Sequence, residues 1–307
     1  MKNYCYLFAS RNNYNVLDEI CFKKSDPKFK DYDIYNIDVD STEADLKFGL
    51  EVMRRNNVKL LPSKNPLPMQ FCINDTIKHL EENNIHKDWI ILMSSDAYMS
   101  DSSYFERVDD VLLDTNFIDN VGVIGSATYH DGFNANSYGR TNLCKDSHIH
   151  PHMGWLNNLS KEYTDSDHFV IESAFWTWSA INIKLWKKYI KPDGLWKLNY
   201  SMDDVSAQFM MQNIPSICVP KLQTFHQTMK NGGRTSSNHD PHYYPEYAEK
   251  YTHNEKWYAK WGWPWGVRNE WNHNIRDVFD TKRYKNTLQE KLFNANISDG
   301  PIKLGDV

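Results

Sequence analysis

The stretch WIILMSSDAYMS, residues 89–100, carries the clearest indication of fold in this sequence. Residues 89–93 are continuously apolar, which is typical of a strand covered on both faces of a sheet. Asp96 follows directly and brings a carboxylate to the carboxyl end of that strand. In open α/β sheets ligands bind at this end of the strands. A carboxylate there can hold a divalent cation, which can in turn hold a diphosphate; a turn or helix-cap aspartate is the alternative interpretation.

On both sides of this stretch, short apolar runs alternate with helical patterns. We predict strands at 3–9, 32–39, 89–93, 121–126, 169–183, 217–219 and 223–226, and helices at 41–55, 69–84, 184–189 and 203–212. Such alternation predicts an α/β fold. Residues 129–167 have weak periodicity and are interpreted as long loops or an inserted acceptor region. We expect residues 1–230 to form one domain and residues 231–307 to form a helical, aromatic-rich extension packed on it, with a helix at 245–261.

Composition limits the classes of function. The 307 residues carry a formal net charge of -5, which argues against a strongly basic nucleic-acid surface. No run approaches the roughly 18 apolar residues that span a bilayer. The five cysteines are widely spaced and form no C-x-x-C pair, as suits buried thiols in a reducing compartment. We therefore expect a soluble, cytoplasmic protein.

Three polar residues in the second half of the chain complete the pattern. Asp203 and Asp204 stand side by side at the start of a predicted helix. One carboxylate can cap the helix, and the other can act as a general base that takes the proton of an attacking hydroxyl; a doubled cap is the alternative. His226 ends a strand-like run and can ligate a metal or contact phosphate, or it can be a structural histidine.

In this order the motifs resemble the large inverting family of GT-A glycosyltransferases, family 2-like, over about residues 1–230. The segment around Asp96 is similar to the family's D-x-D motif, and Asp203-Asp204 to its acidic pair. His226 is similar to the histidine that follows about twenty residues later. Three positions depart from the pattern, because Tyr98, Ala174 and Ser206 stand where the family usually has an acid, a glycine and an acid.

The resemblance implies a Rossmann-like mixed sheet flanked by helices and a hexosyltransferase-like activity with inversion, in which a sugar moves from a nucleoside diphosphate sugar to a glycan or other hydroxyl acceptor. It implies Asp204 as the general base, with Asp203 orienting it or binding acceptor. It implies a UDP-sugar donor and a divalent cation, Mn²⁺ or Mg²⁺, at Asp96 and His226. The implied donor contacts are Ser10, Arg11, Asp38, Asp40, Asn74, Asp96, Ser173 and Ala174.

Other functions remain open from the sequence. A non-catalytic carbohydrate- or nucleotide-binding relative of the same fold is compatible with Tyr98 in place of the second acid. A sugar nucleotidyltransferase would need a glycine-rich phosphate loop, and residues 10–15 contain no glycine. A DNA-modifying glycosyltransferase conflicts with the acidic net charge.

Overall fold

A mixed, curled sheet forms the centre of the computed structural model. The structure describes residues 2–62, 69–131, 135–140, 155–157, 159–175, 177–195, 201–227, 256–257, 259–261, 282–294 and 300–307. Within these, the strands are β1 (Tyr4–Ser10), β2 (Ile34–Asp38), β3 (Val58–Leu61), β4 (Trp89–Met93), β5 (Ala97–Tyr98), β6 (Val123–His130), β7 (Ala135–Arg140), β8 (Trp155–Asn157), β9 (Phe169–Ile171), β10 (Trp178–Asn182) and β11 (Ser216–His226).

The strand order places most carboxyl ends at one edge of the sheet. Neighbours run β3-β2-β1-β4-β10-β6-β11-β5, while β7 pairs with β6 and β8, and β9 pairs with β11. Strand β1 is parallel to β2 and β4, and β6 is parallel to β11. Strand β10 is antiparallel to both β4 and β6, so these two run in the same direction. The ends of β1, β2, β4, β6 and β11 therefore lie at the same edge, beside the start of β10.

Helices cover both faces of the sheet. They are α1 (Tyr14–Val16, continued as a π-helical turn over Leu17–Phe22), α2 (Glu43–Arg55), α3 (Met69–Glu82), α4 (Ser103–Leu112), α5 (Thr115–Asn120), α6 (Lys161–Thr164), α7 (Ile183–Tyr189), α8 (Ser201–Met210) and α9 (Leu288–Asn294). The Thr42 side chain accepts a hydrogen bond from the Asp45 amide and thereby caps the start of helix α2.

Alternate side chains of β1 enter two separate cores. Tyr4, Tyr6 and Phe8 pack into a cluster on one face, whereas Cys5 and Leu7 pack into a second cluster on the other. This follows from the two-residue period of a strand and explains why the central strands are apolar throughout. The fold class expected from the sequence, an α/β mixed sheet flanked by helices, is confirmed.

Three expectations were wrong. The predicted single strand at 169–183 is two strands, because β9 pairs with β11 whereas β10 pairs with β4 and β6. The loop interpretation of residues 129–167 misses the end of β6, as well as β7, β8 and α6. Conversely, the runs 217–219 and 223–226 form one strand, β11, whose pairing with β6 shifts between Val219 and Gln223. Pro220 lies in this irregular segment, where a missing backbone N–H is tolerated.

The described residues beyond position 255 pack onto the sheet domain. Trp257, Trp261, Tyr284, Leu288 and Leu292 are buried in the same cluster as Tyr4 and Tyr6. The expected helix at 245–261 is described only at 256–257 and 259–261, which are helical; the rest lies outside the described residues. Among the helices of the described ranges, none has the length and apolar character needed to span a membrane.

Candidate active site

The carboxylate of Asp96 lies in the turn after β4 and is held by two side chains. Ser94 donates a hydrogen bond to Oδ1, and His226 Nε2 lies 3.2 Å from the same oxygen. The Asp96 carbonyl also accepts the Gln227 amide at 2.9 Å, which joins the end of β11 to this turn. Burial alone would raise the pKa of Asp96, but the His226 imidazole and the Ser94 hydroxyl lower it below its ordinary value. Asp96 therefore remains ionised although it is buried, and a carboxylate must be ionised to bind a cation.

His226 in turn contacts a second histidine that the sequence analysis did not single out. His130 ends β6, lies opposite His226 in the register of β6 and β11, and has its Nδ1 atom 3.0 Å from Nδ1 of His226. Both rings are buried. In the sequence His130 falls within the region 129–167 that was interpreted as loops, so its approach to His226 follows only from the pairing of β6 with β11.

A hydrogen-bonded network connects the ends of β1 and β2. Ser10 Oγ donates to Asn36 Oδ1 at 2.7 Å, and Asn36 Nδ2 donates to the Tyr14 hydroxyl at 3.1 Å. Tyr14 then donates to Asp38 Oδ2 at 2.8 Å, while the Ser41 amide donates to Asp38 Oδ1 at 3.0 Å. Burial and the adjacent carboxylate raise the pKa of Tyr14, so its hydroxyl remains a donor. Asp38 is consequently held in one orientation at the sheet edge.

The other sequence-predicted residues of this end differ in their placement. Arg11 lies in the turn after β1 and is half-buried. Asp40 is exposed and has a positive φ of 60°, a backbone conformation that Asp tolerates better than most residues. Asn13, which was not singled out, donates to Ser95 Oγ at 2.7 Å. This bond ties the turn after β1 to the turn that carries Asp96.

Ser173 and Ala174 lie in the segment that crosses between β9 and β10. Ser173 Oγ donates to Asp203 Oδ1 at 2.6 Å. Farther along this segment, the Thr177 carbonyl accepts the Ser94 amide at 3.0 Å, so the crossing segment bridges the acidic pair and the Asp96 turn. Ala174 is buried and packs against Gly125. A Cβ atom added at Gly125 would lie 3.0 Å from the methyl group of Ala174.

The two acids of the pair have different surroundings. Both lie in the first turn of α8, which begins at Ser201, so neither is the residue that precedes the helix. Asp203 retains 7% exposure, whereas Asp204 is fully buried. Asp204 Oδ1 contacts Lys260 Nζ at 2.7 Å and accepts from Trp261 Nε1 at 2.9 Å.

The second oxygen of Asp204 is also engaged. Gln70 Nε2 and Gln208 Nε2 donate to Oδ2 at 3.1 and 2.9 Å. Lys260 also lies 2.6 Å from Asp193 Oδ2. Four donors therefore converge on the buried Asp204 carboxylate, and one of them is a cation from the C-terminal part of the chain.

Asn74 is separated from these groups. It lies on the exposed side of α3, one turn after Gln70, and its Oδ1 accepts from Trp186 Nε1 at 2.8 Å. The contact joins α3 to α7. Gln70, which the sequence analysis did not single out, is the α3 residue that reaches the acidic pair.

Comparison with known proteins identifies the fold through similar structures, whereas comparison of sequences finds no match. No known protein-family model matches the sequence, and no curated protein sequence matches it. Among solved structures, GalNAc-T7 with UDP, GalNAc and Mn²⁺ is similar, with a TM-score of 0.52 and 11% identity over 74% of this chain and 44% of GalNAc-T7. This likeness shows that the chain has the GT-A fold.

Two further structures are more distantly similar. The mannosyltransferase PcManGT from Pyrobaculum calidifontis, in complex with GDP-Man and Mn²⁺, has a TM-score of 0.47 and 10% identity over 81% of this chain and 64% of its own. S. aureus TarS 1–349 has a TM-score of 0.44 and 12% identity over 74% of this chain and 60% of its own. This chain thus spans less than two thirds of each of the three similar structures.

Proposed function

We propose that this GT-A-fold chain transfers a sugar from a nucleoside diphosphate sugar to an acceptor hydroxyl. One observation carries the proposal: three groups adjoin one edge of the sheet. They are the oriented Asp38 at the end of β2, the buried pair formed by Asp96 after β4 and His226 at the end of β11, and the acidic pair on α8. Ligands of open α/β sheets bind at this edge. The three groups suit, in order, a nucleoside, a diphosphate and a reacting hydroxyl.

A divalent cation fits between Asp96 and His226. Their facing atoms are 3.2 Å apart, and two ligands at right angles around an ion with bonds of about 2.1 Å are separated by roughly 3 Å. Within the described residues no group of three possible side-chain ligands occurs. An ion held by these two residues would take its other ligands from substrate phosphates and water. Such an ion would offset the charge that develops on the diphosphate leaving group.

We assign the general base to Asp203 rather than to Asp204. A base must reach the hydroxyl from which it takes a proton, and Asp204 is fully buried with four donors on its two oxygens. Asp203 is the partly accessible member of the pair, and Ser173 orients it beside the crossing segment. Asp204 then acts by fixing the start of α8 and by holding Lys260 and Trp261.

The reaction follows from these roles. The acceptor hydroxyl gives its proton to Asp203 while its oxygen bonds to the anomeric carbon. The bond from that carbon to the diphosphate oxygen breaks, and the diphosphate leaves with the electron pair. We propose a single displacement, which inverts the anomeric configuration. The transition state has oxocarbenium character, by analogy with glycoside hydrolysis.

We propose UDP as the nucleotide and Mn²⁺ as the ion, with a hexose as the sugar. The choice of ligands follows GalNAc-T7, whose structure contains UDP, GalNAc and Mn²⁺. We also propose that the protein acts in the cytoplasm, because Cys5, Cys21, Cys72 and Cys218 are buried free thiols, which suits a reducing compartment. The acceptor is a glycan or another molecule with a hydroxyl group.

The test is thermal unfolding with UDP, GDP, dTDP and CMP, each with and without Mn²⁺, followed by assay of donor hydrolysis and transfer. A ligand that binds only the native state must raise its stability. A nucleotide-selective shift that increases with Mn²⁺, together with release of the nucleoside diphosphate, supports the proposal. Folded protein that responds to no nucleotide refutes it. Binding without turnover would favour the non-catalytic relative, for which the replacement of the second acid by Tyr98 is the specific observation.

A further inference from the structure

A chain of three buried side chains extends away from the proposed cation site. Asp96 Oδ1 faces Nε2 of His226 at 3.2 Å, and Nδ1 of His226 faces Nδ1 of His130 at 3.0 Å. The last distance is that of an ordinary hydrogen bond between two ring nitrogens. Each such nitrogen is a donor or an acceptor according to the tautomer. One nitrogen of the facing pair must therefore carry a hydrogen, and the other must offer its lone pair.

Ligation of a cation determines which ring carries that hydrogen. A neutral imidazole that binds an ion through Nε2 has its hydrogen on Nδ1. In that state His226 donates from Nδ1, and the facing Nδ1 atom of His130 must be the acceptor. Metal-bound histidines almost always donate their second N–H to a neighbouring acceptor, which fixes the orientation of the ring.

We propose that His130 is the positioning residue of the cation site, and that it accepts the Nδ1–H of His226 when Nε2 of His226 is a ligand. This inference rests on the proposed function, because that function supplies the cation. It adds a residue that makes no contact with the ion itself. Acceptors that hydrogen-bond to a metal-bound histidine in this way typically contribute about 10- to 100-fold in metal affinity.

Backbone and packing hold His130 in place for this role. It lies directly across from His226 in the parallel ladder of β6 and β11. Its ring contacts Phe175 edge to face, with centroids 6.0 Å apart. Phe175 belongs to the crossing segment between β9 and β10, the same segment that carries Ser173. The acceptor is therefore fixed by a strand on one side and by the candidate active site on the other.

The experiment compares Mn²⁺ affinity among variants of the full chain, measured from the electron paramagnetic resonance signal of free Mn²⁺. His130→Leu removes the acceptor and should weaken binding by about 10- to 100-fold. His130→Asn returns an amide oxygen near the position of Nδ1 and should bind within a few-fold of the unaltered protein. His130→Gln carries its amide one bond farther out and should bind as weakly as His130→Leu.

A matched control separates positioning from general loss of packing. His168 also packs edge to face on a phenylalanine, Phe117, with centroids 5.3 Å apart, but lies outside the candidate site. His168→Leu should leave Mn²⁺ affinity unchanged. If His130→Leu does not fold, the difference between His130→Asn and His130→Gln still tests the inference.

Three outcomes would overturn the inference. Unaltered protein that binds no Mn²⁺ removes the cation site and the role of His130 with it. Unaltered protein that binds Mn²⁺, with His130→Leu binding equally well, removes only His130. Equal affinity of His130→Asn and His130→Gln would exclude an acceptor at the Nδ1 position.

Discussion

Lys260 Nζ lies 2.7 Å from Asp204 Oδ1, so a residue near the C-terminus neutralises the second acid of the α8 pair. Lys260 also contacts Asp193 Oδ2 at 2.6 Å. The adjacent Trp261 donates its indole N–H to the same oxygen of Asp204. Part of the extension that was expected to pack on the sheet domain is thus bonded to the candidate active site, and this contact distinguishes the fully buried Asp204 from Asp203, which retains 7% exposure.

The first prediction concerns that division. Asp203→Asn should lower kcat by about 10²- to 10⁴-fold, the usual contribution of a general base, with nucleotide affinity and stability nearly unchanged. Asp204→Asn should instead lower stability, because it leaves Lys260 without its buried counter-charge. Steady-state kinetics and thermal unfolding of both variants make the comparison. Near-normal turnover of Asp203→Asn would remove Asp203 as the base.

The second prediction concerns the lysine. Lys260→Met should destabilise the protein by about 3–5 kcal/mol, because it removes the cation that contacts the fully buried Asp204 carboxylate. Urea unfolding measures the loss. Lys291→Met, at an exposed position of α9, is the control and should change stability by less than about 0.5 kcal/mol. Equal effects of the two substitutions would contradict the buried ion pair.

The third prediction concerns Tyr14. Tyr14→Phe removes the hydrogen bond to Asp38 and should raise KM for the donor about 10-fold, since hydrogen bonds to charged groups contribute about 1.5–3 kcal/mol. The value of kcat should stay nearly constant, because the interaction orients a binding group rather than a reacting one. Tyr104→Phe is the control, because the buried Tyr104 hydroxyl has no hydrogen-bond partner among the described residues. A change in kcat alone would contradict the assignment of Asp38 to the nucleoside.

The fourth prediction uses a glycine. A Cβ atom at Gly49 would lie 2.5 Å from the Tyr14 ring, so Gly49→Ala must displace that ring and should cost about 1–3 kcal/mol. Displacement of Tyr14 should also weaken nucleotide binding. Gly194→Ala is the control, since nothing lies within 4 Å of a Cβ atom there. Thermal unfolding and nucleotide titration test both effects, and unchanged stability of Gly49→Ala would refute the close packing.

Local patterns predicted the sheet, whereas long-range contacts within the site could not be predicted. The buried strand at 89–93 and the helix at 41–55 follow from neighbouring residues, and both are found, the helix as Glu43–Arg55. Gln70 on α3 gave no such signal, because its role depends on a contact with Asp204 at a distance of 134 residues along the chain. The split between β9 and β10 was missed for a similar reason. Both parts are apolar, and only their different partner strands separate them.

The late position of Lys260 also has a consequence for synthesis. A ribosome releases the chain from its N-terminus and domains begin to fold as they emerge, so Asp204 is made well before the lysine and tryptophan that cover it. Until residues 260 and 261 have emerged, two of the four donors to the Asp204 carboxylate are absent, and water must take their place. Premature termination between β11 and residue 260 would therefore yield a chain in which Asp204 lacks both its contacting cation and the indole donor of Trp261.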